Sequence, residues 1–194
     1  MQSEGDVTGH DSARGARSAA VSSPDGVRVH YDVYGTASPA LVFVHGWCCS
    51  RCHWDKQVDH FAHEYTVVTI DLAGHGESGR NRSKWTMRAF ALDVGAVLGQ
   101  LAIEEYLLIG HSMGGAVIVE AARRMAKPPL GVVAVEAWRN VDQGLTSEQI
   151  AELMAPFRAD FARAAQAFVS TMFLPTSPKA LVDREFDVRG SAST

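Results

Sequence analysis

The sequence has no apolar run near the roughly 20 residues that a membrane-spanning helix needs, and its N-terminus has no apolar signal core. It has only three cysteines, Cys48, Cys49 and Cys52. An odd, clustered set of this kind is not a disulfide framework and favours a reducing compartment. The net charge is −4, and no basic stripe is present. These absences predict a cytoplasmic protein that has neither a membrane nor a nucleic acid as partner.

Apolar runs of strand length alternate with helical patterns along most of the chain. The run Leu41–Val44 is continuous rather than alternating, which is typical of a strand covered on both faces of a parallel sheet. Strands are predicted at 27–34, 41–44, 65–70, 106–109 and 131–135, and helices at 54–62, 86–101 and 113–125. The alternation predicts an α/β fold with a doubly wound, mostly parallel sheet whose short apolar strands are buried.

The composition divides the chain into four regions. Residues 1–23 are rich in small and charged side chains and are predicted to form a flexible leader, and residues 24–140 form the α/β core. Thr146 and Gln149 have the spacing of a capping box, and helical periodicity continues from there with a break at Pro156. A helical segment is therefore predicted over 141–182, followed by a disordered tail over 183–194.

The pentad Gly110-His111-Ser112-Met113-Gly114 follows a buried strand and opens a helix. A serine at such a turn takes a strained backbone conformation that pushes its hydroxyl outwards, and glycines two residues away on either side avoid Cβ clashes. The helix N-terminus favours a developing oxyanion. The pattern predicts Ser112 as a catalytic nucleophile, the alternative being a serine that only caps the helix.

A second motif, His45-Gly46-Trp47, ends the earlier apolar strand. Acyl transfer needs two backbone N–H groups that converge on the carbonyl oxygen, one from the residue after the nucleophile and one from the loop after this strand. Met113 and Trp47 are therefore the predicted oxyanion-hole residues.

Together with Asp71-Leu72-Ala73-Gly74-His75-Gly76-Glu77-Ser78, these motifs resemble the α/β-hydrolase fold family, in its esterase, lipase and haloperoxidase-like branch. The resemblance implies cleavage of small carboxylic esters or related acyl compounds through an acyl-serine, with no cofactor and no metal. It also implies that the helical segment is the start of a lid and that His75 belongs to a structural loop. A serine rather than an aspartate at the nucleophile position argues against epoxide hydrolase and haloalkane dehalogenase chemistry.

The family's triad runs Ser, then Asp or Glu, then His, whereas all eight histidines here precede Ser112. We therefore expect a C-terminally truncated family member, with termination or a frame change near Asp183, that lacks the catalytic acid and base. Residues 132–135 should then lie on an unprotected sheet edge with an apolar face partly uncovered. Glu136 follows the last strand and is a candidate acid, although a strand-end carboxylate without a catalytic role is the favoured reading. The alternative function is a catalytically impaired or inactive protein that acts at most as a binding module.

Cys49-Ser50-Arg51-Cys52-His53 matches the pattern of covalent haem attachment, and the three cysteines with His53 suggest a zinc site. Haem attachment requires export, for which no signal is present, and adjacent ligands give poor tetrahedral geometry. Neither group is therefore expected.

Overall fold

A mixed six-stranded sheet forms the centre of the first of two units in the computed structural model, which describes residues 15–137 and 144–180. Its strands are β1 Arg17–Ser22, β2 Arg28–Tyr34, β3 Ala40–Val44, β4 Thr66–Ile70, β5 Tyr106–His111 and β6 Gly131–Val135. Their order across the sheet is β1-β2-β4-β3-β5-β6. The pairs β3–β4, β3–β5 and β5–β6 are parallel, and β1–β2 and β2–β4 are antiparallel. The prediction of a mostly parallel α/β sheet is confirmed.

Helices connect these strands and cover both faces of the sheet. A short 3-10 helix Arg51–Trp54 runs into α1 Asp55–Phe61, and the longer helices are α2 Met87–Leu101 and α3 Met113–Ala122. The Thr86 hydroxyl caps α2 by accepting a hydrogen bond from the Ala89 N–H (3.1 Å). The boundaries predicted from periodicity agree with these helices to within a few residues.

Alternate residues of the central strands belong to two separate apolar clusters, one on each face. Val42 and Val44 join the larger cluster with side chains of α2 and α3, and Leu41 and Phe43 join the smaller one with Trp54 and Val58. All five residues of β3 are buried. This two-sided burial is what the unbroken apolar run at 41–44 predicts.

One prediction about the strands is wrong, and one is confirmed. Arg17–Ser22, within the segment predicted as a flexible leader, forms β1 because it pairs along its whole length with β2. β6 lies at the end of the sheet and, within the described residues, pairs only with β5, so the expected exposed edge at residues 132–135 is confirmed, although its apolar run alone predicts a buried strand. The neighbouring Val132 and Val133 are 40% and 46% exposed and point to opposite faces, so both faces are open there.

The second unit holds two helices, α4 Ser147–Ala159 and α5 Phe161–Ser170. The predicted capping box forms, since Thr146 Oγ1 accepts from the Gln149 N–H and the Gln149 side chain accepts from the Thr146 N–H (2.9 Å). The break does not come at Pro156, which α4 includes. It comes at Asp160, whose carboxylate accepts from the Arg163 N–H (3.1 Å) and so starts α5.

Residues 1–14 and the whole of the predicted tail over 183–194 lie outside the described residues. Among the helices of the described ranges, none combines the length and the apolar character that crossing a bilayer requires. The lid role of the helical segment stays a prediction.

Candidate active site

Ser112 lies in the turn between β5 and α3, in a backbone conformation that residues with a side chain rarely adopt. Its φ is 52° and its ψ is −118°. The side chain is exposed and makes no capping hydrogen bond to α3, so the alternative of a simple helix cap does not hold. The Ser112 N–H donates to the Val135 carbonyl (3.0 Å), which ties the turn to the end of β6. A strained backbone conformation persists only where the surrounding structure enforces it. Here it leaves the Ser112 hydroxyl exposed to solvent.

The glycines around Ser112 are required by the close approach of backbone to backbone. A Cβ on Gly110 would lie 2.4 Å from the Gly114 carbonyl oxygen. A Cβ on Gly114 would lie 2.4 Å from the Val44 carbonyl oxygen and 2.6 Å from that of His45. These separations are far below van der Waals contact. The glycine spacing in the pentad thus allows α3 to begin directly against the ends of β3 and β5.

The loop His45–Ser50, called the 45–50 loop below, lies beside Ser112. β3 and β5 are neighbours, with Val44 opposite Gly110, so the residues that follow each strand meet at one edge of the sheet. A Cβ built on Gly46 would be 3.2 Å from the Ser112 Cβ and 3.0 Å from His111 Nδ1. Trp47, the predicted oxyanion donor of this loop, is half-buried. The structure therefore brings together the two motifs that the sequence places about 65 residues apart.

Met113, the other predicted donor, is the first residue of α3. The first N–H groups of a helix have no acceptor within the helix, so the N–H of Met113 needs an acceptor from elsewhere. The position next to Ser112 and at the positive end of α3 suits a negatively charged oxygen.

His45 fixes the start of the 45–50 loop and is not available as a base. Its Nε2 accepts a hydrogen bond from the Leu72 N–H (3.1 Å), so the proton sits on Nδ1, which donates to the Gly46 carbonyl (2.7 Å). Burial and the nearby His75 ring lower the pKa of His45 to about 3. His45 is thus neutral and fully buried, and both of its ring nitrogens are hydrogen-bonded to the backbone.

The segment 71–78 is a structural loop, as the resemblance implies. The Ser78 hydroxyl donates to the Asp71 carbonyl (2.7 Å) and accepts from the His30 N–H (2.8 Å), which closes the loop onto β2. Gly76 has a φ of +49°, and a Cβ there would lie 2.1 Å from the Asp71 carboxylate. His75 is buried, with its Nδ1 on the Ala73 carbonyl (3.0 Å), and burial lowers its pKa. None of these contacts involves Ser112.

Arg51 is a residue that the motifs do not single out, although it connects three parts of the unit. Its backbone N–H donates to Asp71 Oδ1 (2.7 Å), and its guanidinium group forms ion pairs with Asp32, Asp71 and Glu77. Burial opposes the charge, but the Asp71 and Asp32 carboxylates outweigh it and raise the pKa of Arg51. No local sequence pattern predicts this role of Arg51, because its partners are about 19 to 26 residues away in the sequence.

The cysteines form neither a disulfide nor a metal site in the described part of the chain. Cys48 and Cys49 are buried, Cys52 is partly buried, and none of the three forms a disulfide. Within residues 15–137 and 144–180, no group of three or more histidine, cysteine or carboxylate side chains is placed to hold a metal ion. Cys49 donates to the Trp47 carbonyl (3.6 Å), which is a contact within the 45–50 loop.

Glu136, the candidate acid, directly follows β6, where Val135 accepts the hydrogen bond from Ser112. It is exposed, and its φ of 48° is strained for a residue with a side chain. No hydrogen bond in the described residues joins it to a histidine, so its reading as a strand-end carboxylate stands as a prediction.

A strained serine between a parallel strand and a helix, facing the loop after the neighbouring strand, defines an α/β protein of the hydrolase type. Residues 41–192 match the model of the alpha/beta hydrolase family, and the chain belongs to that family.

The chain is similar to family members of different activities. It is 34% identical over 115 residues to a non-heme haloperoxidase of Rhodococcus erythropolis, covering 59% of this chain and 40% of that protein. It is also 34% identical over 112 residues to a bifunctional esterase/perhydrolase of Acinetobacter calcoaceticus, covering 57% of this chain and 41% of that protein. An esterase from Exiguobacterium antarcticum shares the fold, with a TM-score of 0.82 at 20% identity, over 91% of this chain and 69% of that one. The chain thus spans less than half the length of these two curated relatives.

Proposed function

We propose that this chain carries the nucleophile and the oxyanion-binding groups of a serine hydrolase that acts on small carboxylic esters or related acyl compounds. The observation that carries the proposal is the conformation of Ser112, exposed and strained with φ at 52°, directly against Gly46 of the 45–50 loop. The relatives named as esterases support the ester class of substrate.

In the proposed reaction, Ser112 Oγ attacks the acyl carbon and its proton passes to a general base. The carbonyl oxygen becomes negatively charged and accepts hydrogen bonds from the Met113 and Trp47 N–H groups. The C–O bond to the alcohol then breaks, and the alcohol leaves with a proton. Water hydrolyses the acyl-serine, which releases the acid and restores the hydroxyl.

A second candidate, a chain that binds an acyl compound without turning it over, is favoured by one observation. In the described residues, Ser112 Oγ makes no hydrogen bond to a histidine, and the ring nitrogens of His45 are both used. Removing the base of a serine triad costs on the order of 10⁶ in kcat, so this difference decides between the candidates.

Labelling with a fluorophosphonate and the burst of p-nitrophenol from p-nitrophenyl acetate test the proposal. We expect both in the wild-type chain and neither in Ser112→Ala. The matched control is Ser83→Ala, an exposed serine in the segment before α2, which should label like wild type. Labelling of Ser112 without turnover would favour the binding candidate, and labelling that is the same in Ser112→Ala would refute the assignment of the nucleophile.

A further inference from the structure

We propose that Arg51 is a positioning residue for the 45–50 loop, which it holds against the end of β4 through Asp71. The inference rests on the proposed function, in which Trp47 of this loop provides an oxyanion donor. Arg51 itself touches no reacting atom in this proposal and acts through the backbone that it anchors.

The two ends of the 45–50 loop are attached to two consecutive residues, one at each end. At its start, His45 Nε2 accepts from the Leu72 N–H (3.1 Å). Directly after its end, the Arg51 N–H donates to Asp71 Oδ1 (2.7 Å). Asp71 and Leu72 are consecutive and both fully buried, so they form a rigid base for the loop. Trp47 lies between the two attachments.

The Arg51 side chain stabilises the second attachment through ion pairs with three carboxylates. Its Nε contacts Asp32 of β2 (2.5 Å), and its two other nitrogens contact Asp71 and Glu77. The Asp32 and Asp71 side chains are 2% and 0% exposed, so their charges need this cation. A planar guanidinium group serves three carboxylates at once, which a lysine ammonium group on a flexible stem does not reproduce.

Anchoring of this kind matters for catalysis because an oxyanion donor works only within a narrow range of distance. Donors lie about 2.7–3.1 Å from the position that the oxyanion takes, and loss of one such donor costs roughly 10²–10³ in kcat. When the loop shifts but keeps the donor, only part of this factor is lost, and kcat should fall about 10-fold. Because the bond strengthens in the transition state, the loss should fall on kcat rather than on KM.

The test is Arg51→Lys, which keeps the positive charge and so keeps the buried carboxylates compensated. The matched control is Arg82→Lys. Arg82 is also buried and paired with two carboxylates, Asp25 and Asp93, outside the 45–50 loop and outside the 71–78 loop. Turnover of p-nitrophenyl acetate, the free energy of unfolding and amide hydrogen exchange of the peptide covering 45–50 are measured for both.

For Arg51→Lys we expect kcat to fall about 10-fold with KM within about twofold, and the 45–50 amides to exchange about 10-fold faster. Arg82→Lys should lose comparable stability and leave both kcat and the 45–50 exchange within about twofold of wild type. Equal losses of kcat in the two variants would show a merely structural role and overturn the proposal. So would unchanged exchange at 45–50 in Arg51→Lys.

The exchange measurement separates this inference from the proposed function. If the wild-type chain shows no turnover that depends on Ser112, the proposed function fails. Faster exchange at 45–50 in Arg51→Lys alone then still supports the anchoring by Arg51, and unchanged exchange refutes it.

Discussion

Replacing Gly114 by alanine is expected to destabilise the protein, whereas the same change at Gly99 should stabilise it. Both glycines lie inside helices, Gly114 in α3 and Gly99 in α2. A Cβ on Gly114 would come within 2.4 Å of the Val44 carbonyl oxygen, and a Cβ on Gly99 would meet no atom within 4 Å. The two variants therefore share the gain in helix propensity and differ only in the steric clash.

The magnitudes follow from this difference. Alanine is favoured over glycine in a helix by up to about 1 kcal/mol. At Gly114, the first turn of α3 has to move by about 1 Å from the backbone of a central strand, and overpacking of this kind costs about 3 kcal/mol. Gly114→Ala should thus lose about 2 kcal/mol, which lowers Tm by about 4–8 °C in a chain of this size. Gly99→Ala should gain about 0.5–1 kcal/mol.

Guanidinium unfolding followed by circular dichroism measures both variants against wild type. The clash at Gly114 also separates α3 from the end of β3, so labelling of Ser112 by a fluorophosphonate should slow in Gly114→Ala and stay unchanged in Gly99→Ala. A Gly114→Ala variant that is as stable as wild type would refute the argument that backbone contact requires this glycine.

Two further predictions concern buried ionisable side chains. The pKa of His45 is lowered from 6.5 to about 3. Below pH 6.5 the imidazole of His45 is therefore protonated in the unfolded state but stays neutral in the folded state. The free energy of unfolding should therefore fall by about 2.5 kcal/mol between pH 8 and pH 4.5. His45→Gln keeps an acceptor for the Leu72 N–H but does not titrate, so this pH-dependent fall should be absent from the variant. Urea unfolding at several pH values measures the difference. Arg82→Met leaves Asp93, whose side chain is 0% exposed, without its cation, and should cost about 3–5 kcal/mol. A loss below about 1 kcal/mol in guanidinium unfolding would contradict the importance of this pair.

Features of the fold that depend on local sequence could be predicted. The unbroken apolar run of β3 and the Thr146–Gln149 capping box each specify their structure over a few residues, and both predictions are confirmed. Likewise, the glycine spacing around Ser112 reflects contacts within the turn and with the adjacent strand. The position of the 45–50 loop beside Ser112 could also be anticipated, because parallel strands end at the same edge of a sheet.

Features that depend on distant partners could not be predicted. β1 has small and polar residues with little strand propensity of their own, and its structure comes from pairing with β2. The apolar run of β6 by itself predicts a buried strand, and the exposed edge that we expect at residues 132–135 comes from the place of β6 at the end of the sheet. The cysteines and the histidine around Arg51 resemble metal-binding patterns, and its partners are distant in the sequence, so its ion pairs could not be predicted.

The strand order has a consequence for how the chain folds during synthesis. β3 pairs with β4 on one side and with β5 on the other, and β5 begins about 60 residues after β3 ends. Until Tyr106–His111 has left the ribosome, the most apolar strand of the sheet has an unpaired edge, which is a template for aggregation. Joining of β5 to β3 both pairs this edge and brings Ser112 to Gly46, so the nascent chain covers the edge of its most apolar strand and forms its candidate site in the same step.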